Sequence, residues 1–370
     1  MLIGERPAKI LILGEARVIH TQRWSRYFRD RGWTVRALSF PPIPAGAAAE
    51  SLGWSSIPRA LAIPLAVRHV RRLMARFRPD ITSALFIPDY GWLAALAGAR
   101  PLAVSAWGSD VLVSPEKSPL HRRRIRYVVS RADHLFADAE VLGARLEQLG
   151  ARPDQITIAP LGVSESWLAA GASRRDDNPG TVTVVQSRRL EPLYQVETYI
   201  DAAAQLLRPP SPQFRFVVIG EGSRHGALVN RAHRLGLRQG LIFLPWLSED
   251  ELQKQFVAAD IYVSTASSDG TSVSLLEAMA AGCFPIVTDL PGNREWITDG
   301  VNGLLFPVGD VRTLSNQLLR AATDLALRTA ARERNRTIIK GRARWEDNMA
   351  TVEQALAQTI EQFHRPQGTS

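Results

Sequence analysis

At 370 residues the chain is longer than one hydrophobic core usually supports, so two domains of roughly 150 to 180 residues are expected. With 45% hydrophobic and 22% charged residues, its composition excludes the disordered and fibrous classes, and no apolar run reaches the roughly 18 to 20 residues of a membrane span. The formal charge of +9 is uneven: residues 1–165 hold 23 basic against 14 acidic residues, whereas residues 166–370 hold 22 of each.

The basic excess concentrates in two clusters, Arg68-Arg71-Arg72-Arg76-Arg78 and Arg122-Arg123-Arg124-Arg126. Solvated helix faces in an arginine-preferring chain (41 Arg, 4 Lys) are one reading; attraction to an anionic membrane surface or a phosphate-bearing acceptor is the other. No nucleic-acid-reading motif is visible, so no nucleic-acid partner is expected. The single cysteine, Cys283, excludes an intramolecular disulfide and a cysteine metal cluster. The N-terminus lacks a charged segment followed by a cleavable apolar one, which points to a cytoplasmic location.

Short aliphatic runs alternate with helical patterns along the chain, the pattern of parallel α/β architecture. In the first half, 10–13, 35–39, 81–85, 102–106 and 134–137 read as strands, separated by helices at 21–31, 63–77 and 140–149, the last ending at Gly150. Residues 166–180 are polar, Gly/Pro-bearing and aperiodic, and read as a linker. A second series of strands follows at 182–186, 215–219, 241–243, 261–264, 285–288 and 303–306, and 342–362 reads as one long helix.

The expectation is two doubly wound Rossmann-like α/β domains, 1–165 and 181–341, facing a shared cleft. The helix and tail at 342–370 return to the first domain. In such folds ligands bind at the carboxyl ends of the strands, so function belongs at strand-to-helix turns.

The most specific stretch is 264–310. The strand ending at Ser264 gives way to small polar residues, and Gly270-Thr271-Ser272 can bring backbone N–H groups to a helix N-terminus, a ready site for a diphosphate. Asp269 either caps that helix or faces a ligand. Glu277, a charge among Leu275, Leu276, Ala278 and Met279, requires partners. After the first strand of the second domain come Ser187-Arg188-Arg189-Leu190-Glu191-Pro192-Leu193-Tyr194, in which an arginine suits bidentate phosphate recognition.

These stretches resemble family 4 retaining glycosyltransferases of the GT-B fold. The match runs through the acid, seven residues, Glu pattern (Asp269 to Glu277), then Gly292-Asn293-Arg294-Glu295-Trp296, Asp299-Gly300, Asn302-Gly303-Leu304 and 307–310. The resemblance covers about residues 8–365, and is most specific after residue 181. It implies that Arg189 grips the donor diphosphate and that Glu277 accepts hydrogen bonds from ribose. It also implies that Asp269, where the family usually has glutamate, faces the sugar. Tyr194 stands in the family's lysine slot, so Arg188 or Arg294 is expected to supply the missing charge.

Gly220-Glu221-Gly222 matches the family's next turn. Pro245-Trp246-Leu247 lies where the family contacts the base, and Trp246 either stacks there or packs. In the first half, Trp107-Gly108-Ser109-Asp110 resembles a His-Gly-x-Asp segment with Trp107 at the histidine position, leaving Asp110 to bind acceptor or sugar hydroxyls. The turn after the first strand offers Arg17, His20 and Arg23 to an acceptor. Pro160-Leu161-Gly162-Val163 matches the family's closing strand and turn.

The expected activity is therefore metal-independent, retaining transfer of a hexose from a nucleoside diphosphate sugar, such as a UDP- or GDP-sugar, to a glycan or lipid-linked acceptor. Asp269, Arg189 and Asp110 are the expected catalytic residues, with no cofactor. Peripheral membrane attachment would follow from the basic first half. A nucleotide-sugar 2-epimerase and a non-catalytic binding protein on the same fold are the alternatives.

Overall fold

The computed structural model describes residues 2–3, 6–53, 59–174, 180–207, 213–237 and 239–365. The chain divides into two compact units, Met1–Ala159 with Met349–Ser370, and Pro160–Asn348. In the first, β1 (Lys9–Leu13), β2 (Thr34–Ser39), β3 (Glu50–Ser51), β4 (Ile81–Leu85), β5 (Leu102–Ala106), β6 (His134–Ala137) and β7 (Ile156–Ile158) form one sheet. It is wholly parallel and ordered β3-β2-β1-β4-β5-β6-β7.

The second unit holds β8 (Thr181–Ser187), β9 (Gln213–Ile219), β10 (Leu241–Leu244), β11 (Ile261–Ser264), β12 (Phe284–Thr288) and β13 (Leu304–Phe306). These strands are also all parallel, in the order β10-β9-β8-β11-β12-β13. Helices cover both faces of such a sheet, which is why its strands are apolar throughout. Val184, Phe216 and Val218 enter one apolar cluster, and their neighbours Val185, Val217 and Ile219 enter the cluster on the opposite face. Both units are thus doubly wound. Strand order reverses between β1 and β4 in the first and between β8 and β11 in the second, and these are the crevices where such sheets accept ligands.

Two local expectations change. The stretch read as a linker is helical over Glu165–Ala172, with Trp167 and Leu168 buried and Gly171 lying on the backbone of Ala280 with no room for a Cβ; residues 175–179 lie outside the described residues. Pro160–Val163 forms no strand; Val163 makes only an isolated bridge to Arg344, and β7, upstream, closes the sheet.

The expected terminal helix is observed as Trp345–His364, and a break separates it from the preceding helix, Leu325–Arg342. The break is held by Val163, whose N–H donates to the Ala343 carbonyl (2.8 Å) and whose carbonyl accepts from Trp345 N–H (2.8 Å). In the first unit, Glu353 of the last helix accepts from Trp33 Nε1 (2.8 Å), Arg31 Nε (3.1 Å) and Tyr27 Oη (3.2 Å).

Candidate functional site

In the second unit, the loops leaving β8 and β11 are stitched into one surface. Leu193 carbonyl accepts from Ser267 N–H (2.9 Å) and Oγ (3.1 Å), and Tyr194 carbonyl accepts from Thr265 Oγ1 (2.7 Å). Gln195 closes the first loop in the left-handed region at φ 43°. Arg188, the first residue beyond β8, turns inward here. Its Nη2 lies 2.6 Å from Asp269 Oδ2, with the two side chains only 10% and 13% exposed. Its Nη1 donates to Ser272 Oγ and reaches Ser274 Oγ (3.4 Å), and its guanidinium sits 4.5 Å from the centre of the Tyr194 ring.

Ser272 is also the N-cap of the helix Val273–Ala281, accepting from Leu275 N–H (3.3 Å). An α-helix leaves its first N–H groups without intrahelical partners and carries partial positive charge there. Arg188 therefore adds a full cation to a helix end that already favours anions.

Backbone packing fixes this arrangement. Gly220 and Gly222, in the turn after β9, lie against the backbone of Arg188 and Leu190 without space for a Cβ, and Leu190 N–H donates to Glu221 carbonyl (2.9 Å). Behind the other loop, a Cβ on Gly292 would stand 2.8 Å from the Asp269 carbonyl oxygen and closer still to that of Gly270. Trp296 Nε1 donates to Thr271 Oγ1 (3.3 Å), and Asn293 Nδ2 donates to Thr288 carbonyl (2.8 Å). The Gly292–Trp296 motif thus acts by supporting the loop.

Charge follows burial. Desolvation is the largest single influence on the Arg188 guanidinium and works against its charge, but Asp269, Tyr194 and Tyr262 together raise it and hold the arginine protonated. Desolvation raises Asp269 above the usual carboxylate range, with Arg188 pulling it back. The pair sits in the loops after β8 and β11 as a matched cation and anion.

The structure places the other expected residues of the second unit as follows. Ser187 ends β8, paired with Ile219. Arg189 is exposed and adds to the positive field at Glu191, while Arg188 is the one that turns in to Asp269. Glu277 is half-buried on the fifth residue of its helix. Trp246 is 62% exposed after β10, while Leu247 packs on the core. Arg294 forms a two-point ion pair with Asp289 (2.5 and 2.7 Å) on the surface and supplies no charge to the Arg188 cluster.

In the first unit, the edge of the His20 ring meets Trp107, centroids 6.1 Å apart at 75°. Burial, then Arg23, lowers His20 to about 4. Arg17 pairs with Glu15 (3.1 Å) at the surface. Asp110 is wholly buried. Its carboxylate accepts from Trp107 N–H (3.1 and 3.2 Å) and Ile87 N–H (3.4 Å), tying the loops after β4 and β5. Burial raises it to about 6 against those N–H groups. The geometry makes it a loop organiser rather than a hydroxyl-facing group.

Comparison with known proteins gives the class. Residues 173–338 match the family described as glycosyl transferases group 1, and residues 9–139 match glycosyl transferase 4-like. The chain belongs to this group of GT-B glycosyltransferases. Among its relatives, the D-inositol 3-phosphate glycosyltransferase of Nocardia farcinica is 31% identical over 133 residues, 34% of this chain and 30% of that protein. The enzyme of the same name from Actinosynnema mirum is 28% identical over 261 residues, 65% of this chain and 63% of that one. The matched segments span between 15% and 63% of the curated relatives' own lengths. In fold, the chain is similar to Anabaena HepE, solved with UDP and glucose, at TM-score 0.76 and 20% identity over 95% of this chain and 100% of that one.

Proposed function

We propose that the protein transfers a hexose-type sugar, with retention of anomeric configuration, from a nucleoside diphosphate sugar to a glycan or lipid-linked acceptor. One observation carries this reading: Arg188 and the N-terminus of the helix Val273–Ala281 converge at the β8/β11 switch point, the place and the charge that a diphosphate requires. HepE, of like fold, was solved with UDP. Glu277 is assigned to the ribose, Trp246 to the base and Asp269 to the sugar.

Arg188 and the helix end stabilise the charge that develops on the departing diphosphate, the role a metal ion fills elsewhere, and no cofactor takes part. The acceptor attacks the face the diphosphate leaves, and the departing phosphate oxygen takes the acceptor proton.

The acceptor side of the proposal rests on a basic face of the first unit. The helices Arg59–Phe77 and Pro119–Arg131 both pack on the short helix Trp92–Ala97. Arg71 donates to Leu96 carbonyl (2.9 Å), and Arg124 lies 5.0 Å over the Trp92 ring. Their outer sides expose Arg68, Arg72, Arg76, Arg122, Arg123 and Arg126 around Leu65, Leu120 and Tyr127. Basic residues flanking exposed apolar ones suit an anionic lipid surface, at about 1 kcal/mol per basic residue close to it. No helix among the described residues is long and apolar enough to cross a membrane. Attachment is therefore proposed as peripheral, on the cytoplasmic face.

The test is thermal stabilisation against a panel of nucleoside diphosphates and nucleotide sugars without added metal, with Arg188→Ala and Glu277→Ala alongside. Stabilisation by one nucleotide that both substitutions abolish is expected. No stabilisation by any member would remove the donor site from the account.

A further inference from the structure

The Arg188–Asp269 pair has a second consequence, which rests on the donor-site reading above. The guanidinium is nearly buried and is already fully engaged by groups of the protein: the carboxylate at 2.6 Å, the Ser272 and Ser274 hydroxyls, and the Tyr194 ring. The serines and the ring are neutral and can stay. Among the described residues the carboxylate is the one anionic partner; it holds Nη2, while Nη1 is held by Ser272, the N-cap of the helix Val273–Ala281, so the anion and the helix end meet the same guanidinium.

A diphosphate arriving at that helix end brings negative charge to the same cation. Two anions held against one guanidinium repel one another, and the diphosphate, with more charge and more acceptor oxygens, makes the stronger set of charge-assisted hydrogen bonds. While Asp269 stays paired, its carboxylate is also withheld from any sugar hydroxyl.

We propose that Asp269 is an internal stand-in for the donor phosphate: it neutralises Arg188 in the empty site, and the diphosphate displaces it, so that binding the leaving group frees Asp269 to receive the sugar. The exchange is ionic, with no bond made or broken. It couples the two ends of the donor, because a ligand lacking the diphosphate leaves the pair closed and the sugar contact unmade. The small shell fits the task. Ser274 Oγ lies 2.7 Å from Tyr262 Oη and 3.2 Å from Ser272 Oγ, and this hydroxyl chain keeps Arg188 in place whichever anion it holds.

The proposal is tested by calorimetric titration of the full chain with UDP, GDP and inorganic pyrophosphate, in wild type, Asp269→Asn and Arg188→Gln. Removing a competitor strengthens what it competes with. Asp269→Asn is therefore expected to bind the diphosphate about tenfold tighter than wild type. Arg188→Gln is expected to weaken every diphosphate. An Asp269→Asn protein that binds diphosphate no better than wild type overturns the exchange.

Isotope-edited infrared difference spectra of the wild type, with 13C-labelled aspartate, test the same point without a substitution. The carboxylate band of an aspartate must shift when diphosphate binds, and an unchanged band overturns the proposal. If the wild type binds none of the three probes, the donor site itself fails and the exchange falls with it; binding without the predicted gain removes the exchange alone.

Discussion

Replacing Gly292 by alanine adds one methyl group directly behind the proposed phosphate loop. The glycine has no left-handed backbone, so alanine meets no conformational penalty, and the cost is steric alone. Its Cβ would stand 2.8 Å from the Asp269 carbonyl oxygen and nearer that of Gly270, and both obstacles are backbone atoms rather than the end of a flexible side chain. The loop must shift as a whole. Overpacking of this kind costs about 1–3 kcal/mol, which for a unit of this size lowers the melting temperature by about 2–12 °C.

The same shift moves Asp269 and the helix N-terminus, and misplacement by about 1 Å is worth roughly a hundredfold in a catalytic site, so diphosphate affinity should fall at least about tenfold. Thermal unfolding and calorimetric titration read the two effects. Gly226→Ala is the control: it lies in the helix His225–Arg234 with nothing within 4 Å of its Cβ, and should be neutral or stabilising by up to about 1 kcal/mol. A Gly292→Ala protein with wild-type melting and wild-type affinity would refute the claim that this motif supports the loop.

Other substitutions test other links. Trp246→Ala should weaken nucleotide binding by about 1–3 kcal/mol, the range seen for base–aromatic stacking, without moving the melting temperature of so exposed a residue; unchanged affinity would reduce the indole to a surface feature. Glu353→Ala strips the acceptor from Trp33, Arg31 and Tyr27 and should cost about 1–3 kcal/mol by urea unfolding, with no loss denying the contact its role in the first unit. His20, lowered to about 4 from 6.5, loses stability as pH falls from about 6.5 to 4, because the unfolded chain binds the proton first. Asp110, raised to about 6 from 3.8, gains stability as pH falls from about 6 to 4, because the folded chain binds it first. His20→Gln should therefore hold its melting temperature better than wild type between pH 6.5 and 4.5, and Asp110→Asn worse; matching profiles would remove these groups from the pH response.

Most strands were legible because each is a short apolar run buried on both faces, and 81–85, 102–106, 134–137 and 261–264 coincide with the observed elements. The misread linker is a segment whose burial depends on a distant partner. The helix Glu165–Ala172 is built from Ser, Ala and Gly around Trp167, and its local pattern is that of a loop; close contact with Ala280 is what makes it helix.

In the site, the loops and the helix N-terminus could be located from residue types, but which of Arg188 and Arg189 pairs with Asp269 could not. Neighbouring residues at a strand end point to opposite sides, and only the three-dimensional path of the loop decides which enters. Asp110 shows the converse: a carboxylate beside a glycine suggests a ligand contact, and its N–H donors, one of them from Ile87, appear only when the β4 and β5 loops meet.

Hydrogen–deuterium exchange with and without the nucleoside diphosphate that stabilises the protein tests the central claim most directly, because it reports where the ligand sits. Protection is expected in 187–195 and 265–277, the two loops at the β8/β11 switch point, and is expected to disappear in Arg188→Ala. Protection confined to other segments, or unaltered by that substitution, would contradict the assignment of the donor site.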